Sequence, residues 1–266
     1  MGIDTIVNYP CLPKQELSTE GLLGRLKNRE RARHVLEIYK EQGSTDQAGF
    51  EVVYRAADGR EESKILDVQT VMQEAEILDE LAPHCSGCPA NLTGKPYGCV
   101  GYINYPISNN AEMWLLHQLP DATDPVLFLM FHRSIKEFGY TGAAARQLRD
   151  QVGVFFDNPD TLARRYTQLD VTTDVLFEMS FQLGPIQPAH GIMLLLFFNA
   201  IPRDNIGPDV LMGLMKRELD MTTFNEQFPF LQPTTAADDH SIRDLKQFMW
   251  SLYVAYQLDV MVLLDI

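Results

Sequence analysis

Three of the four cysteines fall in one short stretch, at Cys85, Cys88 and Cys99. The spacing Cys85-x2-Cys88 lets one tight turn present two sulfurs to a single ion, and Gly87 between them eases that turn. Cys99 follows a second glycine-bearing turn at Tyr97–Gly98. Thiols in this pattern predict a metal knuckle. Zinc leads, because its structural sites take four tetrahedral nitrogen or sulfur ligands. Cys11, the one remaining thiol, is the expected fourth ligand and stands between Pro10 and Pro13. His84 is the reserve, although its adjacency to Cys85 makes shared coordination awkward. A cysteine followed by proline, as in Cys88–Pro89, also occurs at iron–sulfur clusters, which makes such a cluster the alternative cofactor. A zinc deaminase needs a His-x-Glu triplet upstream of its paired cysteines, and the residues before Cys85 contain none.

A second constellation lies in the apolar half of the chain. His190 opens a strongly apolar run, and Glu178 and Gln182 interrupt the preceding one at a spacing of four. On helices these three would line a pocket, the usual way helical proteins build a ligand site. The other histidines show no metalloprotease spacing, and the chain has no G-x-S-x-G, Walker A or G-x-G-x-x-G motif. The function expected from these residues is a binding or regulatory module whose metal is mainly structural. The alternatives are a metal- or thiol-dependent enzyme with an apolar pocket in its helical half, and an iron–sulfur redox sensor.

Composition narrows the partners. The chain of 266 residues carries 36 acidic against 22 basic residues, a formal net charge of -14. Such a surface repels phosphate backbones, so general nucleic-acid binding is not expected. The expected partner is another protein or a small apolar ligand. Arg25, Lys27, Arg29, Arg31 and Arg33 form the one basic run, read as the solvated face of a helix. The opening residues lack the pattern of a signal peptide, which makes the cytoplasm the expected compartment and metal chemistry more natural for clustered thiols than disulfides. The apolar runs Gly191–Phe198 and Phe248–Ile266 are respectively too short and too interrupted to span a membrane.

The elements that must position these residues give an α+β fold, mostly helical. Residues 1–108 read as a helix, a β-hairpin and the cysteine-rich knuckle, and residues 109–266 as an all-helical bundle, with one continuous domain as the alternative. Ser18 caps a helix to about Gln42. Phe50 to Leu66 alternates around Asp58–Gly59 as a hairpin, with Tyr102–Tyr105 as its expected third strand. Val68, Val71, Met72, Ala75, Leu78 and Leu81 recur as one amphipathic helix over 67–81. Beyond residue 109, proline at the first helical position opens runs at 125, 159, 188 and 208. Further helices are expected over 142–153, 173–183 and 239–264, the last from a capping box at Ser241 and Asp244. The run 188–200 is apolar all round and predicts a buried central helix. Residues 221–238 read as an irregular connector.

Overall fold

The computed structural model describes residues 2–43, 49–55, 61–121, 123–167, 169–181 and 184–265. It is 53% helix and 14% strand, an α+β composition weighted to helix. The chain divides into two compact units, Met1–Tyr9 with Gly98–Ile266, and Pro10–Tyr97. The larger unit begins with β1 (Gly2–Val7), of which all residues after Gly2 are buried.

In the smaller unit, Cys11 precedes a short helix, α1 (Leu12–Leu17). The hydroxyl of Ser18 accepts from the Gly21 N–H at 3.1 Å and caps α2 (Thr19–Glu41), as the sequence predicts. The strands β2 (Gly49–Arg55) and β3 (Glu61–Asp67) pair antiparallel with Phe50 opposite Leu66. The Asp58–Gly59 turn lies outside the described residues. Asp67 accepts from the Thr70 N–H at 2.8 Å and starts α3 (Val68–Glu74). The single helix expected over 67–81 breaks at Ala75, and α4 (Glu76–Leu81) follows.

The expected third strand of this hairpin is not there. Tyr102–Asn104 pairs with β1 instead, and β2–β3 is a two-stranded ribbon. A lone hairpin needs an apolar partner. Helices supply it: Phe50 and Leu66 pack against Ala32 of α2 and against Val68 and Val71 of α3. A second cluster joins Leu22, Ala75, Leu78, Leu81, Cys85 and Tyr97, so α2 and α4 hold the cysteine turn from beneath.

In the larger unit, β4 (Val100–Asn104) lies antiparallel to β1 with Ile103 opposite Ile3. Ser108 caps α5 (Asn109–Gln118), accepting from the Ala111 N–H at 3.1 Å. Next come α6 (Pro125–Glu137) and α7 (Ala143–Arg149). The helix expected after Pro159 is instead a small hairpin of β5 (Ala163–Arg165) and β6 (Asp170–Thr172). Then follow α8 (Thr173–Phe181), α9 (Pro188–Phe197) and α10 (Pro208–Lys216). The expected connector contains a further helix, α11 (Met221–Gln227), capped by Asp220.

The last helix, α12 (His240–Leu258), is capped by Asp239, which accepts from the Ile242 N–H at 2.9 Å. Ser241 is buried and its hydroxyl accepts from the Ser108 N–H at 3.0 Å, while Asp244 accepts from Asn104, so the expected capping box does not form. α12 stops at Leu258 because Asp259 turns left-handed at φ +56°. The apolar tail expected to continue the helix becomes β7 (Val262–Asp265), which completes the sheet order β4-β1-β7. Residues 109–266 are therefore not wholly helical. The central helix does match its pattern: Gly191 to Phe197 of α9 are buried throughout, and a Cβ added at Gly191 would lie 3.8 Å from Leu252 of α12. Among the described residues no helix is long and apolar enough to cross a membrane.

Candidate functional site

The cysteine turn grows from the end of α4. Ala82–Cys85 winds as a tight 3-10 turn after Pro83 cuts off the helix, and it delivers Cys85 into the core beside Leu78 and Leu81. Gly87 takes φ +72°, and the Cys88 N–H returns to the Cys85 carbonyl at 3.3 Å. Asn91 ties the following loop: its amide donates to the carbonyls of Cys85 and Lys95, each at 2.9 Å, and its side-chain oxygen accepts from the Gly94 N–H at 2.9 Å. The loop closes at Tyr97, whose own φ is +60°. That unusual backbone aims the Tyr97 N–H at the Cys85 sulfur, 3.2 Å away. The Tyr97 hydroxyl donates to the Leu78 carbonyl and holds the ring in the core.

The sulfur of Cys85 thus sits between opposing influences. Burial pushes its thiol above the ordinary value, and the Tyr97 N–H opposes that shift. The nearby Cys11 and Cys88 sulfurs push it up again, and Lys14 of α1 draws it down. Three sulfurs of this unit therefore feel one another, and no disulfide joins any of the four cysteines. Cys11 and Cys88 are half-buried, and His84 is exposed on the outer side of the turn. Cys99 belongs to the larger unit, where it is buried and its carbonyl accepts from the Val7 N–H at 3.0 Å. Among the described residues no group of three His, Cys, Asp or Glu stands at a spacing that holds a metal ion.

The second constellation is dispersed. Glu178 is buried on α8, and its carboxylate is occupied by the start of α7. One oxygen accepts from the N–H groups of Thr141 and Gly142 at 2.8 and 2.6 Å, the other from that of Ala144 at 2.9 Å. Gly142 makes this possible. Its φ is +75°, and a Cβ there would stand 2.8 Å from the Asp174 Cβ. His190 is exposed on the first turn of α9, edge-on to Phe138 at a centroid distance of 6.4 Å. Gln182 lies outside the described residues.

No family model, curated protein or solved structure matches this chain. A functional reading rests on the chemistry of its own side chains.

One buried charged cluster is not expected from the sequence. Arg149 of α7 donates to Glu112 of α5 at 2.5 and 3.2 Å, to Asp174 of α8 at 2.8 and 3.0 Å, and to the Asn158 carbonyl at 2.7 Å. Thr173 and Thr161 complete the two carboxylates, donating to Glu112 and Asp174 at 2.7 Å each. Burial works against the guanidinium charge, but the hydrogen bonds to Glu112 and Asp174 outweigh it and hold Arg149 above its ordinary pKa. Every carboxylate oxygen of the two acids has a partner. The cluster locks three helices together. A sequence signal exists, in a Glu and an Asp placed among apolar neighbours, but it does not say that one arginine serves both.

Proposed function

We propose that the smaller unit binds a zinc ion through the thiolates of Cys85, Cys88 and Cys11, and that the metal serves chiefly to fix this unit as a binding or regulatory module. The observation that supports the reading is the Tyr97 N–H aimed at the Cys85 sulfur while Cys11 and Cys88 act on the same atom. A hydrogen bond from a backbone N–H favours the thiolate over the thiol. Neighbouring sulfurs repel once ionised, and a soft divalent cation turns that repulsion into shared ligation. Binding then draws the sulfurs together, so metal affinity and the stability of the unit are coupled. Three thiolates leave one tetrahedral position for water or a further group.

The experiment is metal analysis of anaerobically purified protein, followed by cobalt(II) titration of the metal-free form. The expected result is one equivalent of zinc, and cobalt spectra with intense thiolate charge-transfer and tetrahedral bands. Cys85→Ser, Cys88→Ser and Cys11→Ser should each lose the bands, and chelation should lower the melting temperature. A colourless protein without zinc that takes up no cobalt overturns the reading. A brown protein containing iron and sulfide replaces zinc with a cluster.

A further inference from the structure

The larger unit holds a partly open apolar pocket of about 140 Å3. Four rings wall it, those of Tyr105, Phe156, Phe177 and Phe181, and Ile3 of β1 and Leu148 of α7 close it. The rings brace one another: Phe156 meets Phe177 edge-to-face at 5.2 Å, and Phe177 stacks on Phe181 at 5.9 Å. Filling such a space by collapse would mean disturbing β1, α7 and α8 at once.

We propose that this cavity binds a neutral, apolar molecule of about the size of one benzene ring. The wall offers no charge that wants a partner. The Glu178 carboxylate takes three backbone N–H bonds from the start of α7. Burial pushes the Tyr105 phenol up to about 12, so it stays uncharged at neutral pH. Among the described residues no lining side chain has a buried polar atom in want of a partner. Water in such a pocket finds few polar partners and is readily displaced by an apolar guest, and a space of roughly 150 Å3 is the size that accepts benzene.

An organic cation is disfavoured on the same evidence. The π-face of Phe156 is occupied, with the Arg149 guanidinium 3.9 Å from its centroid. The charge of Glu178 is balanced by the N–H groups that bind it, so little remains to attract a second cation. The ring edges and faces left toward the cavity suit an aromatic or compact aliphatic guest. None of this depends on the thiols of the smaller unit.

The test uses the full chain with benzene and with tetramethylammonium as probes. Benzene at ten times its dissociation constant should raise the melting temperature by about 4 °C, from mass action on a unit of this size. Tetramethylammonium should raise it by nothing measurable. Ala144→Leu and Ala145→Leu each place a larger side chain in the cavity wall. Each variant that keeps the wild-type circular dichroism should lose the benzene shift. Xenon NMR on the wild-type chain gives a readout that needs no variant, and benzene should displace the bound xenon signal. No benzene shift up to its solubility overturns the proposal. So does a shift that persists in the filled variants, a larger response to tetramethylammonium, or xenon that benzene does not displace.

Discussion

Arg149→Met removes one side chain and takes a partner from two others. Methionine keeps much of the volume and the contact with Phe156, but it takes away every donor that Arg149 gives to Glu112, Asp174 and the Asn158 carbonyl. Glu112 and Asp174 are fully buried; Asp174 keeps the Thr161 hydroxyl and an ion pair with Arg146 at 3.6 Å, whereas Glu112 keeps the Thr173 hydroxyl and is the charge left without its cation. Breaking a buried ion pair in this way costs about 3–5 kcal/mol, because the partner charge stays behind without compensation. For a unit of this size that corresponds to a fall of roughly 10 °C in melting temperature. Urea unfolding followed by tryptophan fluorescence reads it directly, since Trp114 and Trp250 both belong to the larger unit. The triple variant Glu112→Gln, Arg149→Met, Asp174→Asn should recover more than half of the loss, because no charge is then left buried. A loss of less than about 1 kcal/mol in the single variant, a value typical of exposed pairs, would refute the idea that these charges hold the helices together.

Other perturbations follow from single residues. Gly142→Ala should cost more than about 1 kcal/mol, since the backbone is left-handed and the new Cβ meets Asp174; urea midpoints equal to wild type would show that the loop moves aside. Leu195→Asp places a charge at a fully buried position of α9 and should cost several kcal/mol, of the order of an unpaired buried charge; a variant melting within a few degrees of wild type contradicts the central place of that helix. His132 is buried against Phe128, and burial first, then Lys136, lowers its pKa below the ordinary histidine value. The folded state therefore binds its proton later than the unfolded chain does. Stability from this group is complete above about pH 6.5 and declines as pH falls below it. His132→Phe should flatten that part of the stability profile between pH 7 and 5, and an unchanged slope would assign the decline to other groups.

The helices announced themselves where composition leaves few choices. Pro125, Pro188 and Pro208 sit at first helical positions, and the run Ile192–Phe197 can be satisfied only by burial on every side. The strands were hidden by continuity. Val260 to Leu264 prolongs the apolar pattern of α12, and the stop comes from Asp259 in a left-handed conformation that glycine would have signalled and aspartate does not. Pro159 has the same look as the helix-opening prolines, yet the segment after it turns into β5 and β6. Strand partners are a long-range matter, so Tyr102 could not reveal from its neighbours that β1 rather than the hairpin would claim it. At the thiols, Gly87 marks its turn in the sequence. The N–H of Tyr97 does not, because the direction of a backbone amide depends on a positive φ at a residue that seldom adopts one.

The sheet of the larger unit sets an order of events during synthesis. β1 is made before both of its neighbours: β4 comes after the whole of Pro10–Tyr97, and β7 after everything up to Val262. The smaller unit is contiguous and can fold while β1 still lacks both partners. At about 5–20 residues per second, the central strand waits roughly 13–50 seconds for its second edge to be covered. Arrested nascent chains that end before Val262 should be cut at β1 by a protease that spares Pro10–Tyr97, and protection of β1 in them would show that another segment covers it first. An apolar strand bare on both edges is a template for pairing with other chains. The hazard therefore lies in β1, and it is greatest until β4 is made and covers one of its edges.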